Sequence, residues 1–460
     1  MDKRFPLEDQ IDMLASALRG RVIAPGNADY DTVRLTAAGN FDGRRPAVVI
    51  RVATAADVAA ALDFAQATDL EVAVRSGGHS IGGHSASNGG LVIDLRDLNG
   101  LEIDAKAATA WCGAGLTAGE VTEAVQQHGM IIGFGDAATV GIGGLTLGGG
   151  VGFLARKHGL TIDHLLAAEI VTASGDILVV DADHHADLFW AIRGGGGNFG
   201  VVTRLKYRMH PLPSFIGGPL ILPATAEVLA GFVAAAEAAP DELTVIANVM
   251  PAPPLPFLPP ALHGKTILMG MMAYAGGAEA AQRALAPFRA LATPLADLVG
   301  PAPFSSMYIP EDPSLRLSVT CRSLFTAGID TAQASEILAH LDRTDAPMKV
   351  AQVRVLGGAT ARVPAEATAY AHRKSRVLVG FLAMYPDPAE TLAQDYWAEQ
   401  GITALRRGED SVYVNFLGTE GHDRIRAAYP DMTWNRLRAV KRQYDPENLF
   451  RLNQNIPPAA

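Results

Sequence analysis

The sequence is poor in cysteine, in clustered charge and in long apolar runs. Its 460 residues hold only Cys112 and Cys321, far apart and without C-x-x-C spacing, so no cysteine metal site can be built and a disulfide is not expected. Charged residues make up 19% and the formal charge is −10, with Asp and Glu dispersed. A nucleic-acid surface needs clustered Lys and Arg, so that class of partner is excluded. No window of eighteen apolar residues occurs, and the N-terminal stretch has charge at both ends and no apolar h-region. Neither a membrane span nor a signal peptide is expected, and the sequence points to a cytoplasmic protein. G-x-x-x-x-G-K-[ST] is missing too, which removes P-loop nucleotide hydrolysis.

What the chain has is glycine, 47 residues of it, concentrated in three stretches. In residues 72–95 an apolar run ends at Arg75, a loop follows, and a second apolar run begins at Leu91. Seven of the ten loop residues from Ser76 to Ser85 are glycine or serine. Such a backbone turns with positive φ and offers bare N–H groups to an anion. The loop fits the diphosphate of a dinucleotide, with His79 against the ring system, while His84 reads as a solvated loop residue. The second stretch, 133–160, holds ten glycines, and the third, 193–200, runs into a strand.

The element pattern is α/β at the start: strand at 46–52, helix from Ala53, then strand, loop and strand to residue 95. Residues 101–115 read as paired strands. Thr117 and Glu120 have capping-box spacing for a helix over 117–128, stopped by Gly129. Residues 162–180 read as strand, turn, strand. Past Pro211 and Pro213 the chain becomes rich in Ala and Pro, with helices expected at 224–238, 277–292 and 331–342 and strands at 265–274 and 411–417. The Pro-rich segment 251–260 is read as an extended loop or lid edge. This gives an α+β protein: mixed α/β units over 1–212, an antiparallel sheet with covering helices over 213–425, and a C-terminal tail over 426–460.

Three cofactor readings compete at the glycine stretches. A nicotinamide Rossmann site would use Gly141-Ile142-Gly143-Gly144, but glycines at 148–150 are expected to prevent a prompt helix. A P-loop is absent. In the third reading, loops 75–80 and 139–144 grip a flavin diphosphate from two sides.

RSGGHS (75–80), GGLVIDL (89–95), TVGIGGLTLGGGVG (139–152), DLFWAIRGGGGNFGVVT (187–203) and YDPENLFRLNQNI (444–456) together resemble the berberine-bridge-enzyme-like FAD-linked oxidases of the vanillyl-alcohol-oxidase group. The resemblance implies an FAD-binding domain over 1–212, a substrate-binding domain over 213–425 and a return of 426–460 to the first, with FAD held by Arg75, Ser76, Gly77, Gly78, His79, Ser80, Thr139, Gly141, Gly143, Gly144, Val201, Asn453 and Asn455. It implies His79 bonded to the flavin 8α-methyl. The cysteine that makes a second link in some members is replaced by Ala137, so a single link is expected. The family's Y-x-N-Y base tyrosine falls on Phe416, in Tyr413-Val414-Asn415-Phe416. Strand alternation would put Tyr413 on the face opposite Phe416, leaving Tyr413 a weak substitute. Tyr370 and His372, from a stretch that lines the cavity in the family, are the other catalytic candidates, with Arg373 as an anion binder or a carboxylate's partner and Tyr308 or Tyr385 as further bases.

The reaction expected is hydride transfer from an alcohol, hemiacetal or amine-type metabolite to flavin N5, with O₂ or another electron acceptor. A non-redox flavin-binding protein is the alternative, and an NAD(P)-dependent dehydrogenase the distant one. No metal is expected, and no pattern sets an oligomeric state.

Overall fold

The computed structural model describes residues 6–308 and 315–460. The first subdomain is a four-stranded sheet in the order Arg21–Ile23, Val48–Arg51, Leu91–Asp94, Val72–Arg75, the last three parallel. The central strand Leu91–Asp94 is buried throughout, as expected for a parallel strand covered on both faces. Helix Ala55–Thr68 connects the strands. Thr54 accepts the Asp57 amide and Asp57 returns to Thr54, while the same carboxylate also takes the amides of Arg19 and Gly20. One side chain thus ties the helix start to the turn that leads into strand Arg21–Ile23.

The second subdomain is an antiparallel sheet, Leu101–Asp104, Thr109–Gly113, Val201–Arg208, Leu165–Val171, Ile177–Asp181. Helix Ala118–Gln126 starts on the expected Thr117–Glu120 capping box and stops before Gly129, whose φ is 66°.

The third unit is the long antiparallel sheet, Ala296–Asp297, Ile216–Pro223, Thr266–Tyr274, Leu243–Pro251, Met348–Val355, Val377–Tyr385, Ser318–Thr326. Strand period two divides its side chains between two layers. Val245, Ala247 and Val249 face helices Ala226–Ala238, Thr331–Leu341 and Thr391–Leu405 in the largest core. Ile246, Met269 and Met271 face the other way, toward the N-terminal body, in a core with Phe153, Leu154 and Phe304.

The chain then returns. Val412, Val414, Leu417, Trp434, Leu437 and Ile456 pack into the core built by residues 110–209, so the packing return begins ahead of residue 426. Helix Asp431–Tyr444 carries Lys441, which is fully buried with Asp445. Lys441 Nζ donates to Asp445 Oδ2 at 2.6 Å and to the carbonyls of Asn198 and Phe450 at 2.8 and 2.9 Å. Asp445 in turn accepts the Leu449 and Phe450 amides at 2.7 and 2.9 Å. Every proton of the ammonium has an acceptor, which is what a buried charge requires.

Two local expectations are corrected. Ile142–Gly148 is a helix despite its glycines: it is held by tertiary burial of Ile142 and Leu147, which overrides glycine's poor propensity. Residues 411–417 form no strand; they find no partner strand, and Val414–Phe416 is a single 3-10 turn.

Removing one partner of a buried, hydrogen-bonded pair leaves an uncompensated charge. Lys441→Met is therefore expected to lower stability by about 3–5 kcal/mol, read as a shift in the urea unfolding midpoint, whereas Lys374→Met, at an exposed position, should change it by less than about 0.5 kcal/mol.

Candidate FAD and active site

The first glycine loop is anchored by residues whose side chains turn away from it. Arg75 is buried; its guanidinium donates to the carbonyls of Arg34 and Leu35 at 3.1 and 3.0 Å and pairs with Asp94 at 3.3 Å. Burial pushes its pKa down to about 10, with Asp94 opposing. Ser76 Oγ donates to the Ala114 carbonyl at 2.6 Å. These two brace the loop through their side chains and leave its backbone to face a ligand.

The decisive contact is glycine against glycine. A Cβ on Gly77 would stand 2.2 Å from the Gly141 amide nitrogen, and one on Gly141 would stand 2.1 Å from the Gly77 nitrogen. No side chain can exist at either place. The loops 75–80 and 139–144 therefore meet backbone to backbone, and Thr139 Oγ1 shares a 3.0 Å hydrogen bond with His79 Nε2 across the junction. Gly78, with φ 79°, makes the turn that presents His79. Around Gly144 there is open space where a side chain would stand.

His84 is not solvated. The 80–84 turn, held by the His84 amide on Ser80 Oγ at 3.1 Å, folds the ring inward, and both ring nitrogens are buried without a protein partner. Burial, reinforced by Arg44, pushes its pKa down to about 4.

The tail closes the site from the other side. Asn453 Nδ2 donates to the carbonyls of Gly197 and Phe450 at 3.2 and 3.0 Å. Asn198 accepts the Ile456 amide through Oδ1 at 2.9 Å and donates to Gln454 O at 3.1 Å. The third glycine turn is thereby stitched to the tail, while Val201 beyond it is buried in the first subdomain's core. The Oδ1 atoms of Asn453 and Asn455 are buried with no protein partner. Orphaned polar atoms and a cradle that only glycine permits fit a dinucleotide cofactor.

At the far end of helix Ile142–Gly148, glycines 148–150 lie under an aromatic cluster. A Cβ on Gly148 would collide with Asn415, and one on Gly149 would meet the rings of Tyr370 and Tyr413 at 3.0 and 3.1 Å. Tyr413 Oη accepts the Gly150 amide at 2.8 Å and Asn415 Nδ2 at 2.9 Å. Burial raises its pKa, against these donors and the nearby Arg354 cation. Tyr370 Oη is buried without a partner, its ring 5.9 Å from that of Tyr413. The face assignment from strand alternation is corrected here. In the 3-10 turn residues three apart are neighbours, so Tyr413 and Phe416 pack edge to face at 5.0 Å.

The other candidates are placed as follows. His372 Nε2 lies 2.9 Å from the Ala428 carbonyl, and burial lowers its pKa. Arg373 is buried in a bidentate pair with Asp163 at 2.8 and 2.9 Å. Tyr308 bonds Thr122 at 3.1 Å, and Tyr385 bonds Thr320 at 3.0 Å on the helix side of the long sheet.

Sequence reading missed a polar ladder on the opposite face of that sheet. Gln352 donates to Asn248 Oδ1 at 2.9 Å, Arg354 donates to Gln352 Oε1 at 2.6 Å, and Arg354 pairs with Asp136 of the second glycine stretch at 2.7 Å. The Arg354 guanidinium stands 5.1 Å from the Phe416 ring centre. Asp136 and Phe416 lie 218 and 62 positions from Arg354 in the chain, and only Gln352 is local to it. Alternation within 348–355 was the one signal available. Among the described residues no cluster suited to a metal ion occurs, and no helix is long and apolar enough to cross a membrane.

Residues 46–181 match the family model for an FAD binding domain, and residues 412–457 match that for berberine and berberine-like proteins. (R)-6-hydroxynicotine oxidase of Paenarthrobacter nicotinovorans is 30% identical over 96% of this chain and 97% of its own. The chain belongs to the berberine-bridge-enzyme-like family of FAD-linked oxidoreductases. An FAD-linked oxidoreductase of Bacillus subtilis is 29% identical over 97% of this chain and 98% of its own. The crystal structure of 6-hydroxy-D-nicotine oxidase from Arthrobacter nicotinovorans superposes with a TM-score of 0.85 at 27% identity, covering 96% of this chain and 98% of that one. A chitooligosaccharide oxidase shares the fold, with a TM-score of 0.83 at 23% identity over 98% of this chain and all of its own. This protein is accordingly an FAD-dependent oxidoreductase, and the expected α+β architecture holds.

The glycine contact carries a direct test. Gly77→Ala and Gly141→Ala should each reduce flavin occupancy by more than about tenfold, read as the ratio of absorbance at 450 nm to that at 280 nm. Gly26→Ala, at an exposed turn outside the cradle where a Cβ meets nothing within 4 Å, should keep the wild-type ratio.

Proposed function

We propose that this protein is an oxidase tethered to FAD through His79 alone, acting on a small metabolite that is uncharged where it meets the sheet wall. The observation that carries this reading is the junction of the two glycine loops, which places His79 and Thr139 together at the mouth of a cradle no side chain can enter. Arg75, Ser76, Gly78, Ser80, Gly143 and Gly144 shape that cradle, and Asn453 and Asn455 meet the cofactor from the tail. Ala137 stands where a second link would form, and alanine has no nucleophile.

When bound, the flavin supplies the acceptor for a hydride leaving a C–H of an alcohol, hemiacetal or amine, and it passes the electrons to O₂ or another acceptor. The protein's part is to handle the proton that accompanies the hydride and to orient the substrate. Tyr413 is the residue best supported for the proton. The Gly150 and Asn415 N–H groups both point at its oxygen and favour the phenolate, against the opposing effect of burial. Tyr370, with an unpartnered hydroxyl, stands beside it as a hydrogen-bond donor to substrate. His372 has its Nε2 set against the Ala428 carbonyl and supports the cluster from behind.

The ladder Asn248–Gln352–Arg354 gives the substrate a polar wall, and Asp136 cancels the one cation in it. That neutrality favours an uncharged alcohol or amine over a carboxylate. The named relative acts on 6-hydroxynicotine, in keeping with an amine-type substrate here. The buried, unpaired thiols of Cys112 and Cys321 suit a reducing, cytoplasmic setting.

A second reading rests on Phe416: with a phenyl ring where the family places a base, the chain would bind FAD without redox turnover. Anaerobic mixing with a panel of alcohols, hemiacetals and amines separates the two. The oxidase reading expects the yellow colour to bleach with at least one compound and to return in air with H₂O₂. Tyr413→Phe should then bleach about 10²- to 10⁴-fold more slowly with its flavin spectrum retained. No bleaching with any member of the panel would favour the second reading.

A further inference from the structure

Outside the site, the chain gathers a quarter of its twelve histidines in one place. His158 ends the short helix Ala155–His158, His164 follows the 3-10 turn Thr161–Asp163, and His210 lies in the strand His210–Pro211 that pairs with Met130–Ile131. The His158 and His210 rings are stacked, 4.1 Å between centres and 19° apart. His210 Nε2 lies 2.9 Å from His164 Nδ1. The Nε2 atoms of His158 and His164 are buried without a partner, and His164 as a whole is buried.

The cluster sits at a seam. Helix Ala155–His158 is one of the places where the N-terminal chain is fastened to the substrate domain. Arg156 donates to the carbonyls of Leu356 and Ala239 at 2.6 and 2.7 Å, Lys157 donates to Ala275 O, and Thr360 donates to Ala155 O at 2.9 Å. His210 and His164 belong to the other side, the strand beside Met130–Ile131 and the sheet of the second subdomain. The glycines that touch Tyr370 and Tyr413 lie just upstream, at 148–150.

We propose that His158, His164 and His210 form an acid-released clasp that holds the helix Ala155–His158 against the N-terminal body and couples its closure to pH. Two protonated imidazoles cannot stay stacked face to face at this spacing. The neutral pair already supplies the one N–H of the His210–His164 hydrogen bond; one added proton leaves that bond in place, but with both rings charged the facing nitrogens each carry N–H and the rings must separate.

The surrounding charges oppose protonation and none compensates it. Lys157 and Arg208 act on the cluster as cations. The carboxylate next in the chain, Asp163, is committed to Arg373 and to the Leu160 amide, and Asp136 on the facing loop is committed to Arg354. Arg156 spends its guanidinium on carbonyls. Burial comes first among the causes that hold all three rings neutral: His158 is pushed down to about 4, His164 to about 3, and His210 below its ordinary value. The sign follows. The unfolded or opened chain, with histidines near about 6.5, binds more protons than the closed form, so the clasp is fully effective above that value and fails as pH drops from there toward about 4.

Hydrogen–deuterium exchange on the flavin-loaded protein at about pH 7.5 and about pH 5, corrected for intrinsic rates, tests this. Amides of residues 153–164 should exchange more than about tenfold faster at the lower pH, reversibly and with the global fold intact by circular dichroism. The double variant His158→Phe, His210→Gln keeps a planar group at each stacked position and an amide donor to His164, and leaves His164 as the one ring of the three that can take up a proton. Its rise should be less than about twofold. An equal rise in the variant, or no rise in the wild type, overturns the proposal. If the variant does not fold, imidazole NMR of the wild type decides: the three rings must stay neutral to below about pH 5.5 and protonate together with the opening, and titration near the free value without opening contradicts the clasp.

Discussion

Two backbones that touch govern this molecule. Gly77 and Gly141 approach so closely that any Cβ would stand within 2.2 Å of the other's amide nitrogen. That contact needs each loop to be delivered from a rigid base. The first comes off the parallel strand Val72–Arg75, with Arg75 braced by Asp94 and two carbonyls. The second comes off the capped helix Ala118–Gln126 and leads into the buried helix Ile142–Gly148, and Ala118 and Gly119 accept no slack because their amides bond the carbonyls of Val140 and Ala138 at 2.9 Å. The cofactor cradle is the consequence of two folded subdomains meeting without side chains between them.

The C-terminal return completes what those subdomains leave open. Lys441 and Asp445 form a buried tie whose outer bonds all go to backbone: Asn198 and Phe450 carbonyls from the lysine, Leu449 and Phe450 amides from the aspartate. This fixes the turn from which Asn453 and Asn455 extend. The long sheet contributes the opposite wall, and the Arg354–Asp136 pair joins that wall to the flavin loop. A charge cancelled across the seam positions the Arg354 guanidinium over Phe416 and leaves the wall polar but neutral.

Much of this was legible from residue pattern. The capping box at Thr117, the strand–helix–strand of 46–95 and the covering helices of the second domain appear where local chemistry dictates them. The glycine loops were legible because a need for bare backbone leaves a compositional mark. What failed were judgements that depend on tertiary partners. Glycine propensity argued against a helix at 142–148, and burial of Ile142 and Leu147 outweighed it. Alternation in SVYVNFL suggested a strand, but a strand needs a neighbour, and the segment packs as a turn that sets Tyr413 against Phe416. His84 looked solvated beside so many small polar residues, yet the turn at Ser80 folds it inward. The polar ladder and the histidine cluster were invisible because each needs a member distant in the chain: Asn248 and Asp136 for Arg354 and Gln352, and His210 for His158 and His164.

We propose that this junction holds one flavin by a single covalent tether at His79. Intact-mass measurement of the denatured, flavin-loaded protein, followed by mapping of the peptide that spans residues 72–95, tests it most directly. One FAD is expected to stay with the chain and to travel with the His79 peptide. Complete release of the flavin on denaturation, or its recovery on any other peptide, would contradict it.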